Sequence, residues 1–232
     1  MEANIPLPKK QHIISNANRL CPDTDIPLHP NGSVDVLEVI KSAVCLFNKK
    51  TISLGSSRSF KNSNYLVVDS KQNVKVHRES TYDVEMYRIL HNWFMQRNDF
   101  EITGQWHLEQ VGDDGDYHHS YCDLTITKSN DPTPVAILEL LATGTIPKIR
   151  KHFDQVLKYA NQLRSREVWV VHFSREDSVV SDPYWPSSEL QEKGLNVVHF
   201  WHDKTFQNVQ MSMRSLDDVG TLQEIIDEQI LP

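Results

Sequence analysis

A chain of 232 residues is long enough to bury a sizeable core, and 39% hydrophobic with 24% charged residues is the balance of a globular protein rather than a disordered or fibrous one. No apolar stretch reaches membrane-spanning length, so a membrane partner is not expected. A formal charge of −7 argues against a protein that coats nucleic acid, but leaves room for a cleft with local lysines.

Pro6, Pro8, Pro22, Pro27 and Pro30 predict an extended lead-in. "SVDVLEVIKSAVCLF" spaces Val36, Val39, Ile40, Val44 and Phe47 as an amphipathic helix, with Ser33 as its cap. Ser53 to Asn64 reads as a loop, and "NYLVVDS" with "NVKVHR" as a short hairpin. Residues 1–78 are thus an N-terminal appendage, helical and extended, before a main domain over 79–232.

"STYDVEMYRILHNWFMQR" sets Met86, Ile89, Leu90 and Trp93 on one stripe behind an acidic first turn, which predicts a helix. "EITGQWHLEQV" alternates as a half-buried strand, and "GDDGDYHHS" reads as a loop. "YCDLTIT" alternates again, with Cys122, Leu124 and Ile126 on one face and Tyr121, Asp123 and Thr125 on the other. "SNDPTP" turns the chain back into "VAILELLA". A helix beginning near Thr145 and Pro147 buries Ile149, Phe153, Val156, Leu157, Ala160 and Leu163. "EVWVVHFS" and "LNVVHFWH" are continuous enough for central strands. "NVQMSM" reads as an edge strand and "SLDDVGTLQEIIDEQI" as a closing helix.

Glu139 stands inside an apolar run, where an unpaired charge is costly. A period of two puts it on one face with Ile137 and Leu141, and an antiparallel hairpin lets Asp123 share that face. Two carboxylates held together repel unless a cation lies between them, and a hard ion such as Mg²⁺, with Mn²⁺ as a substitute, suits oxygen donors. On the following helix Lys148, His152, Gln155 and Tyr159 form a polar stripe flanked by Lys151. His118 and His119 read as loop residues that could touch a substrate rather than as zinc ligands. Cys122 reads as a core residue. Three scattered cysteines and no apolar N-terminal run lead to an expected intracellular setting, cytoplasmic or nuclear.

A helix with an embedded Glu, a strand with Asp, a hairpin to a strand with Glu and a helix with Q-x-x-x-Y together resemble the PD-(D/E)XK nuclease-like superfamily, in its restriction-endonuclease-like and RecB-type branch. The resemblance covers about Ser80 to His202. It implies an α/β fold, a restriction-endonuclease-like mixed β-sheet flanked by helices, acting on DNA or RNA as a metal-dependent nuclease. Under it Asp123 and Glu139 are metal ligands, Glu85 is the first-helix acid, and Gln155 and Tyr159 are the helix motif. The family's lysine position is Leu141 here, a side chain that can neither ionise nor orient a water; Lys148, with Lys151 second, is the candidate to replace it. The alternative is an inactive nuclease-fold module that binds nucleic acid or a protein. Self-association into a homodimer stays open.

Overall fold

The computed structural model describes residues 21–54, 60–62, 71, 75–97, 99–111, 116–175, 183–217 and 219–231. At its centre is a mixed seven-stranded sheet, built from β3 (Phe100–Val111), β4 (Tyr117–Lys128), β5 (Pro134–Ala142), β6 (Glu167–Arg175), β7 (Leu195–His202), β8 (Val209–Leu216) and β9 (Leu222–Leu231), hydrogen-bonded in that order. The first three strands form an antiparallel meander. β6 and β7 run parallel to β5, reached through the helices α4 (Ile146–Leu163) and α5 (Ser188–Glu192). β8 and β9 return antiparallel.

Helices cover both faces, so the central strands are buried on both sides. One face packs against α1 (Val36–Val44) and α3 (Glu79–Arg97), through Ile40, Met86, Ile89, Trp93, Leu138, Leu140 and Phe173 among others. The other packs against α4, through Ile137, Leu141, Phe153, Val156, Val170 and Val197. The alternation of β5 is therefore as predicted: Ile137, Glu139 and Leu141 look toward α4, while Leu138 and Leu140 look toward α3. The stripe on α3 and the buried side of α4 are also as expected, except that Leu163 is only partly buried. Residues of α1 share one core with α3 and the sheet, so this part of the N-terminal segment is packed rather than appended.

Several local expectations change. The side chain that caps α1 is Asp35, accepting from the Glu38 N–H at 3.1 Å, rather than Ser33. Within the stretch read as a loop, α2 (Lys49–Leu54) and β1 (Phe60–Asn62) form, and β1 pairs with β2 (Lys75–His77). The "NYLVVDS" half of the predicted hairpin lies outside the described residues. β4 begins at Tyr117, so His118 and His119 belong to a strand. β4 does not keep one face throughout: Leu124 and Ile126 join the α3 side, but Cys122 joins the α4 side. Facing it, β3 takes a left-handed backbone at Gln105 (φ 53°), and Trp106 and Leu108 also pass to the α4 side. β8 is an inner strand, because the segment predicted as a closing helix is the strand β9. Leu222, Ile225, Ile226 and Ile230 carry helix-like spacing, but a bulge that sets Ile226 and Asp227 against Ser212 accounts for it within a strand.

Candidate functional site

The site lies where β4 parts from β5. Their ladder runs from Thr127↔Pro134 to Leu124↔Leu138 and no further. Just past it, Asp123 Oδ2 accepts the Leu140 N–H at 2.8 Å, so the side chain occupies a backbone donor at the point of separation. Glu139 is 3% exposed on the next strand. Its Oε1 pairs with His152 Nδ1 at 2.9 Å, while its Oε2 is buried without a hydrogen-bond partner among the described residues. An orphaned buried carboxylate oxygen is costly and calls for a cation or a proton.

The neighbours add negative charge. Burial, then the charge of Glu139, pushes the Asp123 carboxyl well above the usual range, with Asp83 and Glu79 adding to the rise against the opposing Leu140 bond. Burial and then Glu139 push Asp83 up to about 6. Asp83 and Glu79 stand one turn apart on α3, so the two acids of its first turns look into the site. Glu85 does not. Two residues from Asp83 it lies on another side of the helix, buried, where Oε2 accepts the Asn48 N–H at 2.9 Å and Arg88 Nη2 at 2.7 Å. It anchors the start of α2 and points away from the carboxylate cluster, contrary to the expectation that it is a metal ligand.

Positive groups flank the carboxylates. Lys148, in the first turn of α4, pairs with Glu79. From β1, Lys61 Nζ donates to the Ala142 carbonyl at 3.0 Å, and burial followed by the nearby Lys148 holds its ammonium below the usual pKa. Lys151 is exposed on α4. Leu141 is fully buried against α4 and has no polar role. Further along α4, Gln155 donates to the Tyr159 hydroxyl. Tyr159 is 4% exposed, so it braces the helix from inside rather than lining an open groove. Burial above all raises its pKa, with Glu139 and Cys122 adding. Cys122 is buried as expected, and burial with Glu139 and Asp123 pushes its thiol up to about 12.

The loop from β5 to α4 is held from below. The Gly144 N–H donates to His172 Nε2 at 3.1 Å, which leaves the His172 proton on Nδ1 to bond His199 Nδ1 at 3.0 Å; His199 Nε2–H then reaches the Tyr184 carbonyl at 3.0 Å. Both imidazoles are satisfied while neutral, and burial lowers both pKa values, that of His199 to about 4. This pair fixes the loop that delivers Lys148.

The structure thus brings Asp123 and Glu139 together, ties Lys148 to Glu79 at the margin of that pair, sets Gln155 and Tyr159 beside it and gives Glu85 other partners. Sequence reasoning missed Lys61, Asp83, Glu79 and His172, and did not single out His152 from its stripe. The acidic first turn of α3 was the available signal for Asp83, although it also reads as a response to the helix dipole. Nothing in "SFKNSN" marks Lys61. As a trio, Asp83, Asp123 and Glu139 stay wider than 4.8 Å; the described His, Cys, Asp and Glu side chains that do meet within that distance are His107, Glu109 and His119, elsewhere on the surface.

The fold and site define a mixed α/β protein with a half-buried cluster of carboxylates and lysines at the mouth of a split in its sheet. Comparison with protein-family models, curated proteins and solved structures gives no match. Among the described residues, no helix is long and apolar enough to cross a membrane.

Proposed function

We propose that this chain is a metal-dependent phosphodiesterase acting on DNA or RNA, with a restriction-endonuclease-like arrangement and a displaced lysine. The observation that carries the reading is Glu139, whose buried Oε2 has no hydrogen-bond partner among the described residues while its charge burdens both Asp123 and Asp83. Those donors are all hard oxygens, which fits Mg²⁺ or Mn²⁺ and not a thiolate-seeking metal. Such an ion, held by Asp123 and Glu139 with Asp83 at its margin, would supply charge neutralisation at a phosphate and a lowered pKa for a bound water.

The remaining work falls to the chain. His152 holds Glu139 by one oxygen and leaves the other free for an ion. Lys61 and Lys148 approach the site from β1 and from α4 and can face negative charge as it develops on a phosphate. Of the two, Lys61 is the better replacement for the residue at Leu141, because it has no carboxylate hydrogen bond among the described residues, whereas Lys148 is engaged by Glu79. Gln155 and Tyr159 stiffen α4 behind His152.

The test is cleavage of labelled single- and double-stranded DNA and RNA with Mg²⁺ or Mn²⁺, by the wild type and by Asp123→Ala and Glu139→Ala. Cleavage is expected to need the metal and to vanish in both variants. Activity that survives both substitutions overturns the assignment. A second reading, a non-catalytic binding module of the same fold, is favoured by one observation: Leu141 is sealed in the core where a catalytic lysine would stand. Nucleic-acid binding that is insensitive to chelator, with no metal uptake and no cleavage, would select it.

A further inference from the structure

We infer that the exposed face of the β3–β4 ribbon is a second metal site, for a zinc-class divalent cation, formed by His107, Glu109 and His119. Beyond Leu124, β4 has no ladder to β5, so the rest of the pair is a two-stranded ribbon lying on α4. Leu108 and Cys122 face α4 and are buried there, with Trp106 partly buried beside them. The alternate positions, His107, Glu109, His119 and Tyr121, face solvent. Glu109 lies directly opposite His119 and His107 opposite Tyr121, so His107 and His119 are diagonal neighbours and all three donors share one patch.

The spacing suits a small ion. His107 Nε2 and His119 Nδ1 are 2.9 Å apart, Glu109 Oε1 is 3.9 Å from His119 Nδ1, and one ligand atom from each residue falls within 4.8 Å of the others. Ligands about 2.0–2.1 Å from a tetrahedral zinc sit about 3.3 Å from one another, so shifts of a few tenths of an ångström to an ångström close the site. The two imidazole rings are stacked at 5.0 Å, and the Tyr121 ring lies 5.0 Å beyond His107, which limits how far they can swing. Two imidazoles and one carboxylate select Zn²⁺ and its borderline neighbours over Mg²⁺ or Ca²⁺, which prefer oxygen. The fourth position opens to water, so the ion would tie β3 to β4 and keep one exchangeable ligand.

The site is chemically and spatially separate from the Asp123–Glu139 cluster, and its test does not depend on that cluster. Untagged full-length protein, held in excess Mg²⁺ to mask the carboxylates, is titrated with Zn²⁺ by calorimetry. Compared are the wild type, Cys45→Ser to remove the exposed thiol, His107→Ala with His119→Ala, and Asp123→Ala. One equivalent of Zn²⁺ is expected in the wild type, in Cys45→Ser and in Asp123→Ala. In the double histidine variant affinity should fall at least about tenfold, with an unchanged circular dichroism spectrum because both side chains are exposed. Co²⁺ should give the intense visible bands of a four-coordinate site in the wild type, in Cys45→Ser and in Asp123→Ala, but not in the double histidine variant. Zinc uptake that persists in the double histidine variant, or that disappears in Cys45→Ser or Asp123→Ala, overturns the assignment, as does no uptake at all.

Discussion

Asp83→Asn should make the protein more stable above neutral pH, although it removes a charged residue from a polar site. In the folded chain, burial and Glu139 raise the Asp83 carboxyl from 3.8 to about 6. A raised folded pKa means that the native state holds its proton more tightly than the unfolded chain, so stability is lost as pH climbs through that range. Each tenfold change in a protonation equilibrium is worth about 1.4 kcal/mol, which bounds the cost at about 3 kcal/mol. Asp83 is half-buried, and solvent screening brings the expected gain to about 1–2 kcal/mol. Asparagine imitates the protonated acid, so the two proteins should be equally stable below the unfolded carboxylate pKa, diverge across the interval up to about 6, and keep a constant gap above it. Urea unfolding across that pH range, followed by tryptophan fluorescence, measures the gap. A variant no more stable than wild type at the alkaline end would show that Asp83 already has a compensating partner, and the picture of mutually burdened carboxylates would fail.

Other outcomes follow from the same geometry. Under the proposed nuclease reading, Lys61→Met should lower turnover about 100-fold or more with a smaller change in KM, and Lys148→Met should do less; equal loss in both, seen in steady-state cleavage kinetics, would contradict the preference for Lys61. His152→Ala leaves neither Glu139 oxygen with a hydrogen-bond partner among the described residues and should cost about 1–3 kcal/mol in urea unfolding, with saturating Mn²⁺ recovering part of it. Tyr82→Phe breaks a buried 2.7 Å hydrogen bond to His202 Nε2 and should also cost about 1–3 kcal/mol in the same assay. Phe153→Ala opens a cavity under α4 and should cost about 3–5 kcal/mol; a smaller loss would mean that the α4-side core collapses to fill it.

Elements with strong local patterns were readable in advance. The period of α3 and α4 and the unbroken apolar runs of β6 and β7 each express burial that one segment's own residues dictate. Glu139 was legible for the same reason: a charge inside such a run is an exception visible in one dimension. What stayed hidden depended on partners remote in sequence. β9 looks helical because its bulge resets the inward phase at Asp227, and only the free edge of β8 makes a strand the better solution. Glu85 and Asp83 are both acids of the same helix, and choosing between them needs the position of Asn48 as well as that of Asp123. Lys61 reaches the Ala142 carbonyl across 81 positions of chain, and no local pattern encodes that.

The last strand has a further consequence for how these molecules behave in a crowd. A ten-residue strand at the margin of a sheet, carrying exposed Leu222 and Ile226, is a template on which another chain could pair and begin a fibre. Here the template is spoiled from within. Asp227 adopts a left-handed backbone at φ 55°, its N–H turns inward to Ser212 Oγ at 2.9 Å, and Glu224 and Gln223 place polar groups along the rim. An incoming strand meets a kink halfway along and cannot stay in step on both sides of it. The same bulge that disguised β9 in the sequence therefore lets the sheet end in open water without inviting a neighbour.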